Sequence, residues 1–379
     1  MGAETAPAVQ PATTAPAFGG SLPGLTAAQR ADFAAGLEEF EKVDTVASGL
    51  GPVFNNVSCV ACHSTPAAGG ASTIFETRFG RLVNGQFDPL TQLGGSLLQD
   101  HAIDPAAQES LPPEANVVAH RMTTPLYGAG LIEAIPDIEI LFNAVLRHPD
   151  GISGRASIIT DVATGKNRVG RFGWKAQQAT LLAFAGDAYL NEMGITNRLF
   201  PTENAPMGNQ ALLAEFDTVA DPEDTTDPAT GKADIDRFAD FMRVLAPPPT
   251  LPLTASGRAG KSLFSQVGCS NCHTPSMATG PSAIAALDRK VVPLYSDLLL
   301  HDMGSLGDGI AQAAASPREI RTPPLWGLRA RGPYLHDGRA PTVEAAIVMH
   351  DGEAAITRDR YAGLSAAQKA ALLQFLGSI

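Results

Sequence analysis

The sequence predicts a mostly α protein of two domains with long loops, on three observations. The motif Cys59-Val60-Ala61-Cys62-His63 recurs as Cys269-Ser270-Asn271-Cys272-His273, and the two copies use all four cysteines. A second segment repeats after it in the same order, Arg121-Met122-Thr123-Thr124-Pro125-Leu126-Tyr127-Gly128 against Arg321-Thr322-Pro323-Pro324-Leu325-Trp326-Gly327. Matched order with loops of different length points to two homologous halves. Gly 37 and Pro 29, against 6% aromatic residues, describe a loop-rich chain, and runs that alternate like strands are scarce.

Residues 1–24, rich in Ala, Pro and Thr, read as a disordered tail or signal remnant. Thr26 with Gln29 forms a capping box that opens a helix through about Lys42 and leads into the first Cys motif. From His63 to Pro112 the Gly-rich sequence suits loops better than regular elements. An extra region follows, with a buried helix expected within Gln177 to Met193 and another over about Asp234 to Leu245. Between them, Asp221-Pro222-Glu223-Asp224-Thr225-Thr226-Asp227-Pro228 reads as a solvated acidic turn, with calcium binding the weaker reading. A Pro-rich linker, 247–253, then separates domain 25–246 from domain 254–379. The second domain opens with a helix over Ala255 to Gln266. Ser365 with Gln368 caps a last helix through Leu376.

C-x-x-C-H is the attachment signature of c-type haem. Two thiols one helical turn apart can add to the two vinyl groups of a porphyrin and bring the next imidazole under the iron. A four-cysteine zinc site, disulfides or a redox pair would leave both histidines unexplained. The sequence therefore predicts two covalently attached haem c groups, with Cys59, Cys62, Cys269 and Cys272 as attachment sites and His63 and His273 as ligands. A net charge of −12 argues against nucleic acid and an anionic membrane surface as partners. No apolar run reaches ~18 residues, so no membrane span is expected. Haem attachment belongs to an exported compartment, hence a periplasmic protein. Met1-Gly2-Ala3-Glu4 opens no signal peptide, so the signal is expected to be removed or upstream.

These motifs, with Tyr334-Leu335-His336-Asp337-Gly338-Arg339, resemble the bacterial di-haem cytochrome c peroxidase superfamily. Leu131-Ile132-Glu133-Ala134-Ile135-Pro136, Arg171-Phe172-Gly173-Trp174-Lys175-Ala176 and Leu300-His301-Asp302-Met303-Gly304 are similar to its di-haem oxidoreductase branch, described as peroxidases or thiol oxidoreductases. The resemblance spans about residues 25–379 and implies two cytochrome-c-like domains. One haem would have an open site for chemistry, and a six-coordinate one would pass electrons.

In that family the distal ligand of the electron-transfer haem, usually Met, lies fourteen residues after the His of the Tyr-x-His-x-Gly segment. Here that position is His350, which is expected as a ligand, with Met303 and Met349 as alternatives. Imidazole in place of thioether lowers the potential. His336 is expected to orient a propionate or a water, and His301 to support the haem. The first haem has no equally placed ligand, since His101, His120 and His148 read as surface or turn residues, so its iron is expected to be open. Glu133, at the place His336 holds in the second half, resembles the acid/base over the peroxidatic haem. Arg121 and Arg321 are expected on propionates, and Trp326 or Trp174 between the haems. The predicted activity is reduction of hydrogen peroxide or another small oxidant, with electrons from a small periplasmic donor. Alternatives are a di-haem electron carrier without catalysis, and an oxidase or oxygenase acting on a protein or organic substrate.

Overall fold

A computed structural model describes residues 16–146, 148 and 150–379. Most of the expected tail, residues 1–15, lies outside them. What is described of it is anchored: Leu22 is buried, its N–H donates to Val244 O (2.8 Å), and Phe18 packs on Tyr127.

The fold is not mostly α. It is 35% helix and 16% strand, a mixed α/β structure. Strand Phe75–Val83 pairs antiparallel with Gln86–Asp88, Leu97–Leu98 and Val117–Met122, inside a stretch expected to be irregular. Its aromatic, β-branched and charged residues alternate loosely enough that pairing with distant Val117–Met122, not local pattern, fixes it as a strand. A hairpin, Ser157–Asp161 with Lys166–Gly170, turns at Gly165, whose positive φ of 67° lets its N–H reach Asp161 O (2.8 Å). Leu300–Asp302 pairs with Glu319–Arg321. The remaining paired strands are short, two residues each.

The expected helices form at Ala27–Glu41, Leu181–Met193, Asp234–Val244, Ala255–Val267 and Ala366–Leu376, the first and last closed by their capping boxes. They make one arrangement twice. The helix leading into each Cys motif crosses the last helix of its half at a glycine. At Gly36 a Cβ would lie 2.4 Å from Arg237 O, and at Gly260 one would lie 2.0 Å from Ala371 O. Aromatic residues close both crossings, with Phe40 on Phe241 (4.8 Å between ring centres) and Phe264 on Phe375 (5.5 Å). Alanine normally gains up to about 1 kcal/mol over glycine in a helix. Here the clash outweighs that gain, so Gly260→Ala is expected to destabilise the protein by about 1–3 kcal/mol. Urea unfolding of the haem-loaded protein reads this out, and a more stable variant would contradict the crossing.

The largest apolar cluster is shared between the two halves. Leu131, Ile135, Phe238 and Phe241 pack in one body with Met277, Leu294, Leu298 and Trp326. A smaller cluster gathers Phe264, Tyr295, Tyr361 and Phe375. Among the described residues no helix is long and apolar enough to cross a membrane.

Candidate haem sites

Each Cys motif opens onto its own cleft, of about 1220 Å³ for the first and about 1260 Å³ for the second counting the space open to solvent. Cys59 and Cys62 line one, Cys269 and Cys272 the other, all as free thiols. With the pairs in separate clefts, no four-cysteine metal site forms. Burial pushes the Cys62 thiol up to about 11 and the Cys269 thiol up to about 12, so both are protonated at neutral pH.

In the first cleft a single helical turn, Cys59–Cys62, is capped by Ser58, whose Oγ accepts from Ala61 N (3.2 Å). The chain then folds back over residues 63–71 and brings Gly70 O to 3.1 Å from His63 Nδ1. A carbonyl only accepts, so Nδ1 carries the proton and Nε2 keeps the lone pair that binds metal. Burial lowers the His63 pKa to about 4, keeping the ring neutral. His63 is the sole imidazole lining this cleft among the described residues. His120 is exposed on its strand with Nδ1 3.3 Å from Thr77 Oγ1, His101 is exposed beside Phe54, and neither it nor His148 lines the cleft.

The wall carries carboxylates that the sequence did not single out. Glu76 pairs with Arg78 (2.9 Å) and more distantly with Arg121 (3.5 Å). Burial pushes Glu76 up, but the two guanidiniums together hold it below the usual range. Glu192, from helix Leu181–Met193, accepts from Asn55 Nδ2 (2.7 Å). Burial first, then the neighbouring Glu76 charge, raises its pKa to about 7. A carboxyl poised near neutrality on a cleft wall has the protonation range a general acid/base needs. Glu133, expected in that role, lines neither cleft. Its carboxylate accepts from Leu181 N (2.7 Å) at the start of helix Leu181–Met193 and pairs with Arg243 (3.2 Å), a structural position.

In the second cleft the rings of His273 and His350 have centres 6.5 Å apart and planes inclined at 57°. His273 Nδ1 lies 3.0 Å from Tyr295 O and His350 Nδ1 2.7 Å from Ala346 O, so both keep Nε2 for metal. Metal–nitrogen bonds of about 2.0–2.1 Å place the centres of two imidazoles sharing one ion about 6.5 Å apart. The pair fits one haem iron. Met303 lines the same cleft, whereas Met349 is outside it and partly exposed. His301 is ruled out as a ligand because both ring nitrogens are taken, Nε2 by Asp297 and Nδ1 by Glu353, each at 2.9 Å.

The arginines divide. Arg321 lines the second cleft with its hydrogen bonds going to carbonyls, Gly173 O (2.7 Å) and Thr322 O (3.1 Å), and burial lowers its pKa to about 10. Beside it, Arg331 Nε is buried without a partner. In the first cleft Arg78 Nε is likewise orphaned. Such donors suit an anionic group such as a haem propionate. Arg121 also lines the first cleft, but its guanidinium is engaged by Asp308 (2.7 Å) and Gln312 (2.6 Å), and Asp308 further holds buried Lys175 (2.8 Å).

Trp174 is the one described residue that lines both clefts. Its Nε1 donates to Met122 O (2.8 Å), and its ring meets His336 edge-on at 6.1 Å. His336 lines the second cleft, and its carbonyl accepts from Met122 N (2.7 Å), which ties the two clefts into one wall. Trp326 lines neither. It packs in the large core on Gly128, where a Cβ would lie 2.7 Å from the indole.

A family model described as "Di-haem oxidoreductase, putative peroxidase" matches residues 103–379. No curated protein matches the chain. Among solved structures, the diheme peroxidase BthA from Burkholderia thailandensis E264 is 14% identical, with 92% of this chain and 85% of that one covered and a TM-score of 0.42. A MauG-like protein associated with microbial copper homeostasis is 19% identical, with 67% and 88% covered and a TM-score of 0.33. Kuenenia stuttgartiensis hydrazine synthase is 15% identical, with both chains fully covered and a TM-score of 0.41. The assignment rests on the family match alone, since likeness at these TM-scores carries no weight.

Proposed function

From its membership of the di-haem oxidoreductase family, to which the chain belongs over most of its length, we propose that this oxidoreductase reduces hydrogen peroxide, or a similar small oxidant, in the first cleft. Electrons enter through the second cleft from a small periplasmic donor. The balance is one peroxide, two electrons and two protons giving two waters. The observation that carries this reading is the asymmetry of the clefts: two imidazoles 6.5 Å apart in the second, one imidazole and a poised carboxyl in the first.

Two haems, each attached through its Cys pair within the domains 25–246 and 254–379, would supply one-electron chemistry and an iron with a free coordination position. The residues do the rest. His63 in the first cleft, and His273 with His350 in the second, would hold the iron. Asn55 orients Glu192, which takes a proton from one peroxide oxygen and returns it to the other, making water the leaving group. Arg78 and Arg121 keep Glu76 ionised, and that charge in turn sustains the raised pKa of Glu192. Trp174, shared by both walls, is the short path between them.

Electron paramagnetic resonance of the oxidised holoprotein tests the assignment. Wild type is expected to show one low-spin and one high-spin haem, and His350→Ala two high-spin haems. An unchanged low-spin signal in His350→Ala, lost instead in Met303→Ala, would move the ligand to Met303. Failure of wild type to react with peroxide even when half-reduced would favour an electron carrier or oxidation of an organic or protein substrate.

A further inference from the structure

Away from both clefts, carboxylates converge where the chain winds from Ile195 to Asp224. Glu203, Asp221 and Glu223 each present an oxygen within 4.8 Å of the others. Only part of the acidic run 221–228 takes part. Asp224 instead accepts from Asp234 N (2.7 Å), and Asp227 closes a local turn on Ala229 N (2.8 Å). Glu203, far from that run in sequence, completes the group.

Four things separate this cluster from a solvated acidic face. Glu203 is 6% exposed, and while Oε1 accepts from Asn204 N (2.7 Å), Oε2 is shielded from solvent with no partner. Both oxygens of Glu223 are also shielded and unpartnered. The backbone makes room for them: at Gly49, with φ of 101°, a Cβ would lie 2.8 Å from Glu223 Oε2. The nearby cation, Arg198, is turned away onto Asp236 (2.7 Å). Buried carboxylate oxygens without donors are costly unless a cation satisfies them.

We propose that Glu203, Asp221 and Glu223 form a divalent-cation site, and that Ca²⁺ is its occupant. Donors that are all carboxylate oxygen select a hard cation over iron, copper or zinc. Ca²⁺ takes a variable number of carboxylate and water oxygens in flexible geometry, whereas Mg²⁺ demands a near-ideal octahedron and is seldom held by an all-protein cage. The remaining positions are open to water from the exposed Asp221 side. Thr196 holds the site together, since its Oγ1 donates to Asp221 and accepts from Glu223 N (3.2 Å). The ion joins the 195–224 segment to the 45–50 turn, which leads into the first Cys motif.

The di-haem protein, stripped with EGTA, is titrated with CaCl₂ by calorimetry. Wild type is expected to bind one more equivalent than the Glu203→Gln/Glu223→Gln variant, or to bind that equivalent at least tenfold more tightly. Haem absorbance and circular dichroism report whether the variant is folded. No binding by wild type at millimolar Ca²⁺, or identical binding by a folded variant, would overturn the proposal. Crystals of wild type soaked in TbCl₃ need no variant: an anomalous peak among the three carboxylates is expected, and its absence at full soak counts against the site.

Discussion

Glu192→Gln is expected to slow reaction with hydrogen peroxide by about 10²–10⁴-fold, the usual contribution of a positioned acid/base, while both haems and their spectra remain. Glutamine keeps the size of the side chain and can still accept from Asn55, so the change removes the proton and little else. Stopped-flow mixing of half-reduced protein with peroxide measures it. Glu133→Gln is the matched comparison. Its carboxylate serves the start of helix Leu181–Met193 and Arg243, so the rate should hold and stability should fall. The reverse pattern would return the proton chemistry to Glu133.

Replacing Cys59 and Cys62 together by Ala is expected to leave one covalently bound haem where wild type carries two. Each thiol pair faces a different cleft, so loss of one pair leaves the other attachment untouched. Intact mass after acid extraction reads the number directly. A wild-type chain without covalent porphyrin, or a double variant that retains two, would end the attachment scheme. The variant should also be less stable, because Phe40, Leu126, Phe184 and Phe238 face a cleft that is then unfilled.

What could be read from sequence was local. The Cys motifs carry their own spacing, and the first and last helices declare themselves through Thr26 with Gln29 and Ser365 with Gln368. The strands did not, because most are short and exist through partners far away: Val53–Phe54 is a strand only by pairing with His101–Ala102. For the same reason the fold read as mostly α. Arg121 and Arg321, which open the repeated segment, do line the clefts, but two other candidates do not. Glu133, placed by matching the halves, and Trp326 line neither cleft; the extra region of the first half, with its hairpin and long helix, brings to the walls Trp174, named from sequence beside Trp326, and Glu192, which was not. Glu192 sits in a helix whose apolar residues read as core, and nothing nearby in sequence marks its meeting with Asn55 and Glu76. His350, singled out by its local spacing from His336, lines the second cleft with its ring 6.5 Å from that of His273.

The apolar cluster shared between the halves has a consequence for how the protein is made. A chain leaves the ribosome from its N-terminus, and Leu131, Phe238 and Phe241 emerge well before Met277, Leu298 and Trp326, on which they close. The first half therefore waits with its apolar face uncovered until nearly nine-tenths of the chain has been synthesised, an interval in which such surface invites aggregation. A fragment ending in the proline-rich stretch near residue 250 would keep that face exposed permanently, and would be a poor vehicle for studying the first haem alone.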